Sequence, residues 1–377
     1  MSKKEWINGL IKELINGFKS IIQQSIHPVI RQSKLTTVFT VAVICLGCSP
    51  HGAARPVAGE PAKIGTSEGM IEYLKGQDLP AVRSVERWPN EYGDGLAITT
   101  EHYLIYTTLL DPLMLAQIPS FVESAYRGYQ SQLPEYVSSV NRFTVYLFSD
   151  RQQWDDFTAV FAGRQAEMFG KIKVGAYYLN GSCVAYNIGR ERTFSAIGHE
   201  GWHQFSSILF KFRLPSWLDE GVAMLFESGR YDGGLFYFDP KDNLYRLSAL
   251  KRTLQQGGMM AIKDLVAANP GDVLAADDDA VAAFYSQSYA MVRFLREDAA
   301  GIRLDGYRRL LIDGLKGNWP IGLQERAIAA DRNIPLTVGW NETVGPQLFR
   351  LYIGEDLKQI EGQYLSFCRK IVYHIRD

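Results

Sequence analysis

The apolar positions of this chain fall into stretches with different rhythms. Ile7, Leu10, Ile11, Leu14, Ile15, Phe18, Ile21 and Ile22 recur at three- and four-residue steps, an amphipathic helical stripe. Residues 35–47 then form a run of about a dozen apolar or small side chains. From residue 66 onward, strand-like and helical periods mix. Residues 102–107 and 143–148 alternate as strands. Residues 119–133 carry Phe121, Val122, Ala125, Tyr126 and Tyr129 on one stripe of a predicted helix, and 152–161 reads as another. Residues 171–179 and 182–187 read as the two strands of a hairpin closed by Asn180-Gly181, a pair suited to a tight turn.

The pattern after residue 190 is helical. A helix over 193–212 buries Ile197, Phe205, Ile208 and Leu209. Arg213-Leu214-Pro215-Ser216 breaks it: Pro215 disfavours helix at Leu214, and Ser216 suits the N-cap of the next helix. That next helix, 217–227, is apolar nearly all round and should be buried. Further helices are expected over 244–256, 259–268, 280–297, 304–315 and 354–371, with Asp277-Asp278-Asp279 as the solvated start of the 280–297 helix. The prediction is an α+β fold with a sheet-containing part over 66–190 and a mainly helical part over 191–377.

Composition narrows the partners. The 46% hydrophobic content and net charge of −1 are those of a globular protein, with nothing basic enough to expect nucleic acid as a partner. Residues 1–34 differ, with six Lys/Arg against two acidic side chains. A basic stretch followed by a short apolar run suits an export segment over 1–50, and the Ala/Pro/Gly-rich 51–65 a flexible tether. A membrane-surface helix, or a true start further downstream, are the alternatives for the first stripe. Beyond this segment the cysteines are Cys183 and Cys368, either one disulfide or two buried thiols.

The chemistry concentrates in His199-Glu200-Gly201-Trp202-His203. Two imidazoles four residues apart lie on one helical face and can bind one metal ion, with Glu200 beside the open coordination position. Glu220 sits among apolar neighbours in the following helix, where a carboxylate needs a strong partner such as a zinc ion. Two His, one Glu and a water is a recognised catalytic zinc set. Asp219 and Glu227 read as surface groups or as partners of the metal-bound His. The remaining histidines, and Cys183 and Cys368, lie in no recognisable nucleophile motif.

The run HEGWHQF…PSWLDEGVAMLFE resembles the gluzincins, the peptidase-MA-like zinc metallopeptidases that include thermolysin and aminopeptidase N. The resemblance implies one zinc per chain on His199, His203 and Glu220, in a cleft between a sheet-containing lobe and a helical lobe. It implies Glu200 as general base in peptide-bond hydrolysis by a metal-activated water. Residues 285–295 are similar to the Y-x-K-G-x-A-x-x-x-x-L helix of the aminopeptidase N type, which implies Tyr285 as hydrogen-bond donor to the developing oxyanion, with Tyr289 the second candidate. Gln287 and Ser288 stand where that family has Lys and Gly, and Met224 where thermolysin-like enzymes place an Asp. The hairpin before the zinc helix corresponds to the gluzincin edge strand that binds extended peptide, which implies Gly175, Ala176 and Tyr177 as substrate-binding residues. A plain sheet hairpin is the other reading. The family's G-A-M-E-N reads Gly-Ala-Tyr-Tyr-Leu here, and the missing carboxylate argues against a strict aminopeptidase.

Leu46-Gly47-Cys48 resembles a bacterial lipobox, which implies lipidation at Cys48, a lipid-membrane anchor and a place in the bacterial cell envelope. The expected activity is thus that of an exported zinc metallopeptidase acting on a peptide or protein. The alternatives are a catalytically inactive zinc-fold lipoprotein that binds peptides or serves as a scaffold, and a zinc hydrolase of a non-peptide bond.

Overall fold

A short antiparallel start feeds a parallel centre in the six-stranded sheet on which this chain is built. The computed structural model describes residues 65–139, 141–172, 175–270, 273, 278–297, 301–333 and 336–375. Cys48, the 7–22 stripe, the 35–47 run, Asp277 and all of the expected tether but Gly65 lie outside the described residues. No helix among the described residues is long and apolar enough to cross a membrane.

Helix α1 (Ser67–Lys75) leads into β1 (Ser84–Arg87), β2 (Leu96–Thr99) and β3 (Tyr103–Thr107), which pair antiparallel in sequence. Helix α2 (Pro112–Gln130) then carries the chain back so that β4 (Phe143–Phe148) joins β3 in parallel. After α3 (Arg151–Phe161) and α4 (Ala166–Gly170) comes the hairpin of β5 (Ala176–Leu179) and β6 (Ser182–Tyr186). Strand β6 pairs parallel to β4, so the order is β1-β2-β3-β4-β6-β5 and β5 is an edge. The hairpin turn is as expected: Asn180 has φ 49° and Gly181 φ 80°.

Side chains alternate across this sheet. Val145, Leu147, Cys183 and Ala185 face the main core with α2, whereas Phe148, Val184 and Tyr186 face a smaller core with Trp154 and Phe157 of α3. Helices therefore cover both faces of the sheet's centre.

The second half is mainly helical, as expected: α5 (Arg190–Leu209), α6 (Ser216–Ala223), α7 (Leu244–Gln256), α8 (Ile262–Ala267), α9 (Asp278–Glu297), α10 (Leu304–Lys316), α11 (Leu323–Ala330), α12 (Val338–Tyr352) and α13 (Leu357–Val372). A two-stranded ribbon of β7 (Gly229–Asp232) and β8 (Leu235–Phe238) interrupts it. The main core draws on both halves, from Ile105 and Val145 to Phe294 and Leu348. Cys183 and Cys368 are both free and buried, so they are thiols rather than a bridge.

Three local expectations change. Helix α2 begins at Pro112, capped by Asp111, which accepts from the Met114 N–H, and Pro119 sits inside it rather than opening it. Helix α5 stops at Leu209, because Phe210 is extended and the next two N–H groups pair with the carbonyls of Leu315 and Gly314. Ile208 is exposed and Leu209 only partly buried, where both were expected in the core. Pro215, not Ser216, takes the N-cap position of α6; Ser216 begins the helix and its N–H and hydroxyl turn to Asn341 Oδ1.

Candidate metal centre

Helix α5 lies between the sheet and α2, buried from Thr193 to Ser206 except for Ser195. Three hydrogen bonds fix its depth. Tyr129 in α2 donates to the carbonyl of Gly198 at 2.7 Å. Gln204 Nε2 donates both to the Thr144 carbonyl in β4 and to the Gly181 carbonyl in the hairpin turn, at 2.8 and 2.7 Å. Close approach replaces side chains at two points: a Cβ on Gly198 would strike the Phe226 carbonyl oxygen, and one on Gly221 the Ser288 carbonyl and Val292.

With α5 and α6 so placed, three donor atoms converge. His199 Nε2 and His203 Nε2 are 3.2 Å apart. The Glu220 carboxylate reaches them from α6, with Oε2 3.2 Å from His199 Nε2 and Oε1 3.7 Å from His203 Nε2. The three ligand atoms lie within 4.8 Å of one another, and all three residues are buried.

The outer nitrogens of both rings are held by carboxylates. His199 Nδ1 meets Glu227 Oε1 at 2.9 Å, and His203 Nδ1 meets Asp219 Oδ2 at 3.1 Å. Glu227 is itself clamped by Arg246, whose Nε and Nη2 donate to its two oxygens at 2.8 and 2.6 Å, and by the Asn243 side-chain amide at 2.9 Å. Asp219 also accepts from Trp202 Nε1 at 2.8 Å and Ser206 Oγ at 3.2 Å. A carboxylate accepts only, so each Nδ1 carries a hydrogen, and in the neutral ring Nε2 then presents a lone pair inward. Two such neutral rings at 3.2 Å beside an anionic oxygen repel one another unless a proton or a metal cation stands between them.

The electrostatics agree with that picture. Burial alone would depress the proton affinity of His199, yet Glu220 and Glu227 raise it; at His203 burial is likewise outweighed by Asp219 and Glu220. Burial would raise Glu220, but His203 and His199 hold its carboxyl well below the ordinary range. Glu227 is held low in the same way, burial being overcome by Arg246 and His199. What attracts a proton here attracts a metal ion, and the His199–His203–Glu220 group can hold one. The donor set fits: Glu220 Oε2 is buried without a hydrogen-bond partner.

Two more expected residues join this group. Glu200 is fully buried with neither oxygen hydrogen-bonded, and burial lifts its carboxyl to about 7 against the pull of His203 and His199. The Tyr178 main chain in β5 faces that carboxyl without completing a hydrogen bond. The Tyr285 hydroxyl is also buried and unpartnered, and burial, reinforced by Glu220, pushes it far above the usual phenol range. Its ring lies 5.4 Å from the Arg246 guanidinium. Tyr289 points elsewhere, donating to the Pro240 carbonyl.

The hairpin residues divide. Gly175 precedes β5 with φ 137°, and Ala176 is a buried residue of the edge strand. The Tyr177 side chain belongs to the smaller core, its ring against Phe169 and its hydroxyl bonded to Thr158 at 2.9 Å. Only its main chain is left for another partner.

Arg246 and Asn243 were not legible in the sequence. Arg246 stands on an amphipathic helix like any solvent-facing arginine, and only the fold turns it toward Glu227. Asp219 and Glu227 prove to be partners of the histidines rather than surface charges. Met224, in the place where the thermolysin pattern has Asp, is fully buried in the main core.

No protein-family model and no curated protein matches this sequence.

Proposed function

We propose that this chain is a zinc-dependent metallopeptidase with a gluzincin-type site, in which His199, His203 and Glu220 hold the zinc. The observation that carries the proposal is the pair of inward-facing imidazole nitrogens, 3.2 Å apart and closed by a buried carboxylate. Two imidazoles and one carboxylate with an open fourth place form a catalytic rather than a structural zinc set. When bound, zinc supplies a Lewis acid that polarises a carbonyl and lowers the pKa of water.

The chain's own residues supply the rest. Glu200, a carboxyl with a pKa of about 7, accepts a proton from the attacking water and hands it to the leaving amine. Tyr285 keeps its proton at any ordinary pH and donates to the developing oxyanion. The main chain of β5, an edge strand beside Glu200, pairs with an extended peptide. No carboxylate occupies β5 to hold a free amine, so cleavage within a peptide is favoured over strict aminopeptidase action. A lipid anchor at Cys48 would hold this activity at the cell envelope.

The test is a peptide-library digest read by mass spectrometry, with metal content measured alongside. Wild type should cleave and hold one zinc. Glu200→Gln should keep the zinc and lose roughly 10²- to 10⁴-fold in rate. Undiminished cleavage by Glu200→Gln would overturn the assignment, and bound zinc with no cleavage of any peptide would favour a binding module.

A further inference from the structure

A second site lies away from the metal centre. Residues from α9, α10, α13, the segment just after α2 and the turn at 239–241 line a half-open cavity of about 670 Å³. None of the residues lining it belongs to the metal site. Its wall carries five Lys/Arg side chains against two carboxylates, a local surplus of three positive charges in a chain of net −1.

The charges are not used up internally. Arg293 and Glu297 satisfy each other in a bidentate pair, both contacts at 2.8 Å. Lys241, Arg296, Arg308 and Lys370 remain, and none of their side chains makes a hydrogen bond or ion pair among the described residues. Arg296 and Lys370 lie in the last turns of α9 and α13, where a cation offsets the helix dipole. Arg308, in the second turn of α10, and Lys241, in the 239–241 turn, have no such reason to be there. Phe367, Leu304 and Ile371 give the cavity an apolar flank, and the Tyr307 hydroxyl is bonded to Gln132 Oε1 at 3.0 Å beside it.

We infer that this cavity binds a phosphate-bearing ligand. Two guanidinium forks and two ammonium groups around one space match a multivalent oxyanion, whereas a single carboxylate would leave most of the charge unanswered. The apolar flank takes the body of the molecule that carries the phosphate. Such a group comes either from a free phosphate ester or from the headgroup of an anionic lipid.

The experiment uses the full chain in detergent and the double variant Arg296→Gln/Arg308→Gln. Glycerol phosphate is titrated calorimetrically at low ionic strength. A vesicle arm compares partitioning onto phosphatidylglycerol with that onto phosphatidylcholine. Glycerol phosphate binding that weakens roughly tenfold or more in the double variant establishes a site for a free phosphate ester. No response to glycerol phosphate, but a loss of the preference for anionic vesicles in the variant, establishes the lipid headgroup as the source. If both proteins respond alike in both arms, or neither responds, the inference is overturned. Unchanged zinc content and circular dichroism confirm that the variant is folded. Any chelation of zinc by phosphate is equal in the two proteins and cancels. Both arginines lie outside the metal centre, so peptide cleavage by the variant measures the metal site separately.

Discussion

Glu227 belongs to the candidate metal centre without being one of the three groups that could hold an ion. It holds His199 by Nδ1 and is held in turn by Arg246 and Asn243, so ring orientation at His199 depends on a carboxylate 28 positions along the chain. Such partners raise the basicity of a ligating imidazole and keep it in the useful tautomer. Replacing Glu227 by Gln preserves the shape, but it removes the charge and leaves Arg246 buried with a neutral partner. The expected result is a loss of roughly 10- to 100-fold in zinc affinity, measured by competition with a chromophoric chelator. Undiminished affinity would show that Glu227 serves the fold alone. The sequence shows this residue as the charged end of Met224-Leu225-Phe226-Glu227, with no spacing rule that ties it to His199.

At the scale of elements, α6 owes its position to a missing side chain. Gly221 lets it lie against the backbone of α9 at Ser288, and that approach brings Glu220 to the histidines. Gly221→Ala forces the two helices apart or bends them. It should cost about 1–3 kcal/mol, seen as a lower denaturation midpoint with an unchanged slope, and should weaken zinc binding in step. Full stability would mean that the helices yield more readily than their contact implies.

The same scale shows what patterning could reveal. Strand β4 and helix α7 fall where alternation and helical period predict them, because nothing in 143–148 or 244–256 disputes the period. The two histidines and Glu220 were legible because helix geometry alone puts the first two on one face. Helix α12 is not among the predicted helices: Gly345 and Pro346 stand inside it, and Gly345 is where this helix meets the Val266 carbonyl too closely for any Cβ. Strands β1 and β2 have four residues each, too few for a period to show. The start of α2 was misplaced because Pro119 looks like a first-turn proline, whereas Pro112 is one.

For the whole molecule, the proposed reading makes metal and proton compete for the same nitrogens. The neighbouring carboxylates raise the proton affinity of His199 and His203 in the metal-free fold. Their protonated forms therefore contribute stability that is complete below the unfolded pKa and is lost as pH rises through the folded one. Glu220 works in the opposite sense: held low, it contributes stability above the unfolded value that is lost in acid. Zinc must displace the imidazole protons, so its binding strengthens as pH rises. The increase in Tm on adding zinc should thus be larger at about pH 8 than at about pH 6. A zinc-induced shift that is equal at the two, or larger in acid, would contradict lone-pair coordination by these rings.

The amide of Gln204 has a consequence for how such a molecule can diversify. One side chain grips the central sheet and the hairpin turn at once, so the peptide rail and the helix bearing both imidazoles keep a fixed gauge. On the proposed reading, a new preference for substrate residues cannot arise by sliding that rail. It has to come from exchanging side chains that border the site away from that rail.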